Sequence, residues 1–130
     1  MTIIESKVIV NKPINEVYAF LSDLNNHQQL MPDTIYNWSS TTEEAKFTIK
    51  NMAKLALKIS NRVENKEIVI IPSEEAPFLL ELKWILSDMG NQTTEARYTI
   101  TAELNMMMKM LAVSPLQKLA DHETEKLALI

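Results

Sequence analysis

From Thr34 to Leu104, apolar and polar side chains change places at every second residue, with no helical stripe between. Ala45, Phe47 and Ile49 oppose Lys46, Thr48 and Lys50, and Leu55, Leu57 and Ile59 oppose Lys58, Ser60 and Arg62. Ile68 to Ile71 is an unbroken β-branched run. Phe78, Leu80, Leu82, Trp84 and Leu86 oppose Glu81, Lys83 and Ser87; Ala96, Tyr98, Ile100, Ala102 and Leu104 oppose Glu95, Arg97, Thr99, Thr101 and Glu103. A period of two puts each set on its own face of a pleated strand. Turns fall at Thr41–Glu44, Glu64–Lys66, Pro72–Pro77 and Asp88–Gln92, the last holding the one glycine. Connections this short join neighbouring strands antiparallel, so the region predicts an antiparallel sheet with one apolar face.

The flanks supply what covers that face. Ile4, Ser6, Val8 and Val10 alternate with Glu5, Lys7 and Asn11, a further strand. Pro13 suits a helix start, and Ile14, Val17, Tyr18 and Leu21 then fall at helical spacing, which predicts a helix over about 14–23. Asn25-Asn26 breaks it; a short second helix capped by Asn26 runs to Met31 and stops at Pro32. From Asn105 to Ile130 the spacing is helical again: Met107, Met110 and Leu111, then Leu116, Leu119, Ala120, Glu123 and Leu127. Pro115 denies Leu111 a hydrogen-bond donor, so the expectation is a kink or a break at Ser114. This last helix alone is long enough to cover a sheet. The fold class that follows is α+β: a curved antiparallel sheet of six or seven strands wrapped around a long C-terminal helix, with two short helices after the first strand, in one domain over 1–130.

Charge and cysteine usage narrow the function classes. A formal charge of −4 argues against a general grip on nucleic acid. The chain has no cysteine, hence no disulfide and no thiolate ligand, which fits a cytoplasmic protein. No secretory leader pattern opens the sequence, and no apolar run approaches the roughly 20 residues of a membrane span. A homodimer is compatible with all of this.

The stretch from Val8 to Pro32 resembles the opening of the polyketide cyclase/START-like superfamily, the helix-grip fold shared with the major birch pollen allergen. The pattern is carried by Pro13, Glu16, Val17, Tyr18, Leu21, Asp23 and Pro32, and the order of elements matches over the whole length. The resemblance implies a fold whose relatives include lipid and sterol carriers, quinone-binding proteins, polyketide cyclases and co-chaperone modules. The glycine-rich loop of the plant allergen branch is missing here.

The space between a concave sheet and a helix need not be filled by side chains, and where it is not, it is an apolar pocket. Its expected wall is Leu57, Ile59, Leu82, Trp84, Tyr98 and Ile100 from the strands, with Met107, Met110 and Leu111 from the helix; Tyr98 and Trp84 would orient a ligand. The methionines at 106–108 and 110 read as core filling, as a pliable cavity wall or as an external contact. Tyr36 and Trp38 share a face. His27 and His122 read as exposed polar residues, too few for a metal site. Asp121, Glu123, Glu125 and Lys126 read as a solvated helix face, although Glu123 falls on the apolar stripe. No carboxylate–histidine pair is expected to face inward, and the inner polar groups are Ser6, Asn61 and Tyr98. No nucleophile elbow, phosphate loop or dinucleotide fingerprint occurs, so no catalytic residue and no cofactor is assigned. The expected function is binding of a small apolar ligand such as a lipid, a quinone or an aromatic polyketide. A cyclase- or isomerase-type enzyme using the same pocket, and an interaction module with a collapsed one, are the alternatives.

Overall fold

Seven strands form one antiparallel sheet in the order β1-β7-β6-β5-β4-β3-β2 in a computed structural model that describes residues 1–130. The strands are β1 (Thr2–Val10), β2 (Ile35–Ser40), β3 (Glu44–Ile49), β4 (Ala53–Val63), β5 (Glu67–Pro72), β6 (Leu80–Gly90) and β7 (Thr93–Ala102). The alternation read from the sequence sets which residues face inward. In β7 the buried residues are Thr94, Ala96, Tyr98, Ile100 and Ala102, and in β3 they are Ala45, Phe47 and Ile49. Between β6 and β7, Asn91 and Gln92 take φ of +52° and +57°, the left-handed pair that a two-residue hairpin needs.

The segment between the two edge strands closes one end of the curled sheet. Helix α1 (Ile14–Leu21) packs on β6 and β7, and α2 (Leu24–His27) packs on β3. A 3-10 turn over Gln28–Leu30 follows and reaches the C-terminal helix. The first helix ends two residues before the expected limit, and the second is capped by Asp23 rather than Asn26. Asp23 sits in extended backbone and its Oδ1 accepts from the Asn25 amide at 2.9 Å. Arg62 of β4 anchors this corner: its guanidinium donates to both carboxylate oxygens of Glu43 at 2.8 and 2.7 Å, and to the Ser22 carbonyl at 2.7 Å.

Helix α3 (Met106–Leu127) lies across the apolar face, against β1 and β7. Asn105 caps it, accepting from the Met108 amide at 2.9 Å. Gln117 ties it to the Glu5 carbonyl at 3.0 Å, and the Ser6 and Thr124 hydroxyls meet at 2.7 Å. The expected break at Ser114 does not occur; Pro115 sits inside one helix. Leu111, whose carbonyl loses its donor there, is exposed, so water can take that carbonyl's lone pairs.

Two bulges overturn finer expectations. Asn37 adopts φ +56° where the β2–β3 register shifts, so Tyr36 faces out while Trp38 turns in and stacks on Phe47 at 5.2 Å. A second shift between Ile59 and Asn61 leaves Asn61 exposed instead of inward.

Candidate functional site

Two adjoining spaces lie between the sheet and α3. The inner one is a cavity of about 40 Å³, enough for roughly three waters. Its wall draws on α2, β2 to β7 and α3, and is hydrophobic at 16 of 18 positions. The outer one is a groove of about 840 Å³, a volume suited to a small molecule. It runs between α3 from Met108 to His122, the β3–β4 turn at 50–52, the β5–β6 connection at 77–78 and the segment 32–35. Ile49, Phe78, Leu116 and Leu119 line both spaces and form the boundary between them. The charged groups on the groove are Lys50 and Lys118.

Of the residues expected on the wall, Leu57, Leu82, Tyr98 and Ile100 line the inner cavity. Trp84 does not; it is fully buried and stacks on Tyr98 with ring centroids 4.2 Å apart. The two are direct cross-strand partners, so the indole supports the phenol rather than touching the space. Ile59 packs at the core margin beside the β4 bulge, off the wall. Leu111 borders the outer groove, and Met107 and Met110 stand in solvent, 72% and 82% exposed. The reason is helical phase. The buried stripe of α3 is Ala112, Leu116, Ala120, Glu123, Thr124 and Leu127. Extended backward by one turn it passes through Met108, which lines the groove, and not through 107 or 110.

The polar part of the cavity wall is where the sequence reading falls shortest. His27 and Glu123 both line the cavity, so an inward histidine and an inward carboxyl exist after all. His27, expected in solvent, is 4% exposed, and its Nε2 lies 2.8 Å from the Leu21 carbonyl. A carbonyl only accepts, so Nε2 carries the proton and Nδ1 has the free lone pair. Burial lowers this imidazole from 6.5 to about 4, against weaker upward pulls from the Leu21 carbonyl and Asp23, so it is neutral at pH 7. His122 is half-buried at the groove, with Nδ1 3.0 Å from the Leu30 carbonyl.

Glu123 is 1% exposed, and its Oε1 has no hydrogen-bond partner. Burial pushes its carboxyl up from 4.5 to about 8, and the Tyr98 hydroxyl draws it back only partly. Tyr98 is itself held well above its ordinary 10, by burial first and then by the neighbouring Glu123. At pH 7 the cavity is therefore apolar and uncharged, with a phenol and a carboxylic acid side by side on its wall. The signal for Glu123 was its place on the apolar stripe. His27 had none, because a four-residue helix is too short to show a period. No cluster of three or more metal-ligating side chains occurs, and no helix is long and apolar enough to cross a membrane.

No family model matches the sequence, and no curated protein matches it. Solved structures match it over nearly its whole length. A protein from Thermus thermophilus is similar with a TM-score of 0.78 at 13% identity, over 98% of this chain and 95% of that one. A START superfamily protein from Mycobacterium smegmatis is similar with a TM-score of 0.69 at 17% identity, over 98% and 97%. The di-domain ARO/CYC BexL of the BE-7585A biosynthetic pathway is similar with a TM-score of 0.69 at 16% identity, over 99% of this chain and 46% of that one. The chain has the START-like/polyketide cyclase fold of these structures.

Proposed function

We propose that the chain binds a small apolar molecule, of the lipid, quinone or aromatic polyketide kind, with its body in the outer groove and one end in the inner cavity. The observation that carries this is that the two spaces adjoin, with Ile49, Phe78, Leu116 and Leu119 as their shared wall. The groove has room for a ligand's bulk; the cavity as it stands has room only for water-sized molecules. Entry needs Phe78 and Leu119 to change rotamer, a motion within reach of side chains at a solvent boundary. Leu57, Leu82 and Ile100 would then contact the inner end, and Leu111 the outer. Affinity would come from burial, at about 25 cal/mol per Å² less the costs of association. Native mass spectrometry of the purified protein, followed by binding to a panel of lipids, quinones and flavonoid-like aromatics, tests it. A retained lipophilic adduct or micromolar binding, weakened at least tenfold in Leu119→Trp, is expected. A clean apoprotein that ignores the panel overturns the reading.

The second reading is an enzyme of the cyclase, aromatase or isomerase type. What favours it is the inward carboxyl beside Tyr98, a proton donor facing the same space. Here Glu123→Gln would abolish turnover of a bound ligand and spare its affinity; undiminished turnover in that variant would remove Glu123 from any such chemistry.

A further inference from the structure

The chain carries a group that its own packing does not use. Glu123 sits on the buried stripe of α3, where hydrocarbon would pack, and leaves Oε1 without a partner inside the protein. A buried polar atom left without a partner destabilises the fold that holds it. Three polar groups on the elements around it have partners of their own. The Ser6 hydroxyl is taken by Thr124, Thr124 also donates to the Asp121 carbonyl at 3.0 Å, and His27 Nε2 is held by Leu21. Glu123 and Tyr98 are both part of the cavity lining.

We infer that Glu123, with Tyr98 beside it, is the polar recognition point for the inner end of the ligand, and that this end is an uncharged oxygen: a carbonyl, quinone or hydroxyl on an apolar frame. The inference rests on the apolar-binding reading and names the ligand chemistry that reading leaves open. A carboxylic acid offers one O–H donor and one acceptor oxygen, so it can donate to a ketone or pair with a hydroxyl. An anionic end is disfavoured there, since the cavity holds no cation to meet it and burial would strip its hydration. Lys50 and Lys118, the charged groups of this site, lie outside on the groove. The titratable groups on the cavity wall with Glu123 are Tyr98 from β7 and His27 from α2; Ser6 of β1, opposite the next residue of the helix, does not titrate.

A matched pair of probes isolates the oxygen: 2-methylnaphthalene and 2-methyl-1,4-naphthoquinone share a ring frame and differ in two carbonyls. The protein has no thiol to form an adduct with the quinone. Equilibrium dialysis at pH 6 gives the ratio of the two dissociation constants for the wild type, Glu123→Gln and Glu123→Leu. The expected result is a ratio favouring the quinone at least fivefold more in the wild type than in Glu123→Leu, kept in Glu123→Gln, whose amide still donates. At pH 9 the wild-type preference falls to that of Glu123→Leu, and the Glu123→Gln preference stays. Equal ratios in all three proteins overturn the inference and leave the apolar-binding reading standing. Binding of neither probe overturns both, because both require an apolar frame to enter this groove.

Discussion

The two halves of α3 invert the usual relation between residue type and position. Its first turns are rich in methionine and leucine, and Met106, Met107, Met110 and Leu111 stand in solvent. Its second half carries most of the helix's charge, yet Ala120, Glu123 and Leu127 are among the least exposed residues in the molecule. The difference lies in what each half packs against. The buried residues of the helix, which lies on β1 and β7, begin at Ala112; before it, most side chains are left in solvent. Position in the fold, and not side-chain type, decides which methylenes stabilise the protein. The methionine-rich turns therefore stand off the core, and the charged half lies on it.

Paired truncations give the largest contrast. Leu116 is buried where cavity and groove meet, and Leu111, five residues earlier, is 71% exposed. Leu116→Ala removes buried methyl groups and should cost about 3 kcal/mol in chemical denaturation. Leu111→Ala should change stability by less than about 0.5 kcal/mol, since alanine is also the better helix former. Equal losses would mean that the methionine-rich turns pack in solution on something this single chain does not show.

The pH dependence tests the buried half directly. The Glu123 carboxyl has a higher pKa folded, about 8, than unfolded, 4.5, so the folded state binds more protons between those values. Its contribution is complete below pH 4.5 and is lost as pH rises through 8. His27 runs the other way: with a folded pKa of about 4 against 6.5 unfolded, its contribution is complete above pH 6.5 and lost as pH falls through 4. The two slopes oppose each other between pH 4.5 and 6.5, and Glu123 acts alone above that. Stability should fall by about 2 kcal/mol from pH 6.5 to 8. Glu123→Gln should flatten that fall, measured by urea denaturation at both pH values. A variant that keeps the wild-type slope would assign the proton to another group.

These contrasts also mark what the sequence could carry. The sheet was legible because alternation survives from Ala45 to Ala102, and each short polar turn forces the next strand antiparallel. Tyr98 and Trp84 were placed on one face, and their stacking follows from register. What was lost lies where a period breaks or is too short. The bulges at Asn37 and after Ile59 flip side chains without any change in residue type, which misplaced Tyr36 and Asn61. On α3 the hydrophobicity of Met107 and Met110 outweighed the phase set by Leu116, Ala120 and Leu127, although that phase was written in the same residues. Glu123 lay on the stripe and could be suspected; its pairing with Tyr98 needed the sheet's curvature.

The smallest expected effect is at the methionines themselves. Met107→Gln with Met110→Gln keeps helix propensity and charge while removing the apolar surface that these side chains expose. Because both already face water, the double variant should unfold within about 0.5 kcal/mol of the wild type. Its affinity for the naphthoquinone should also be unchanged, since neither residue lines the groove or the cavity. A stability loss above about 1 kcal/mol would place them in a packed environment. Unchanged stability with weaker binding would instead mean that the methionine-rich turns fold down over the ligand, a lid closed by the guest.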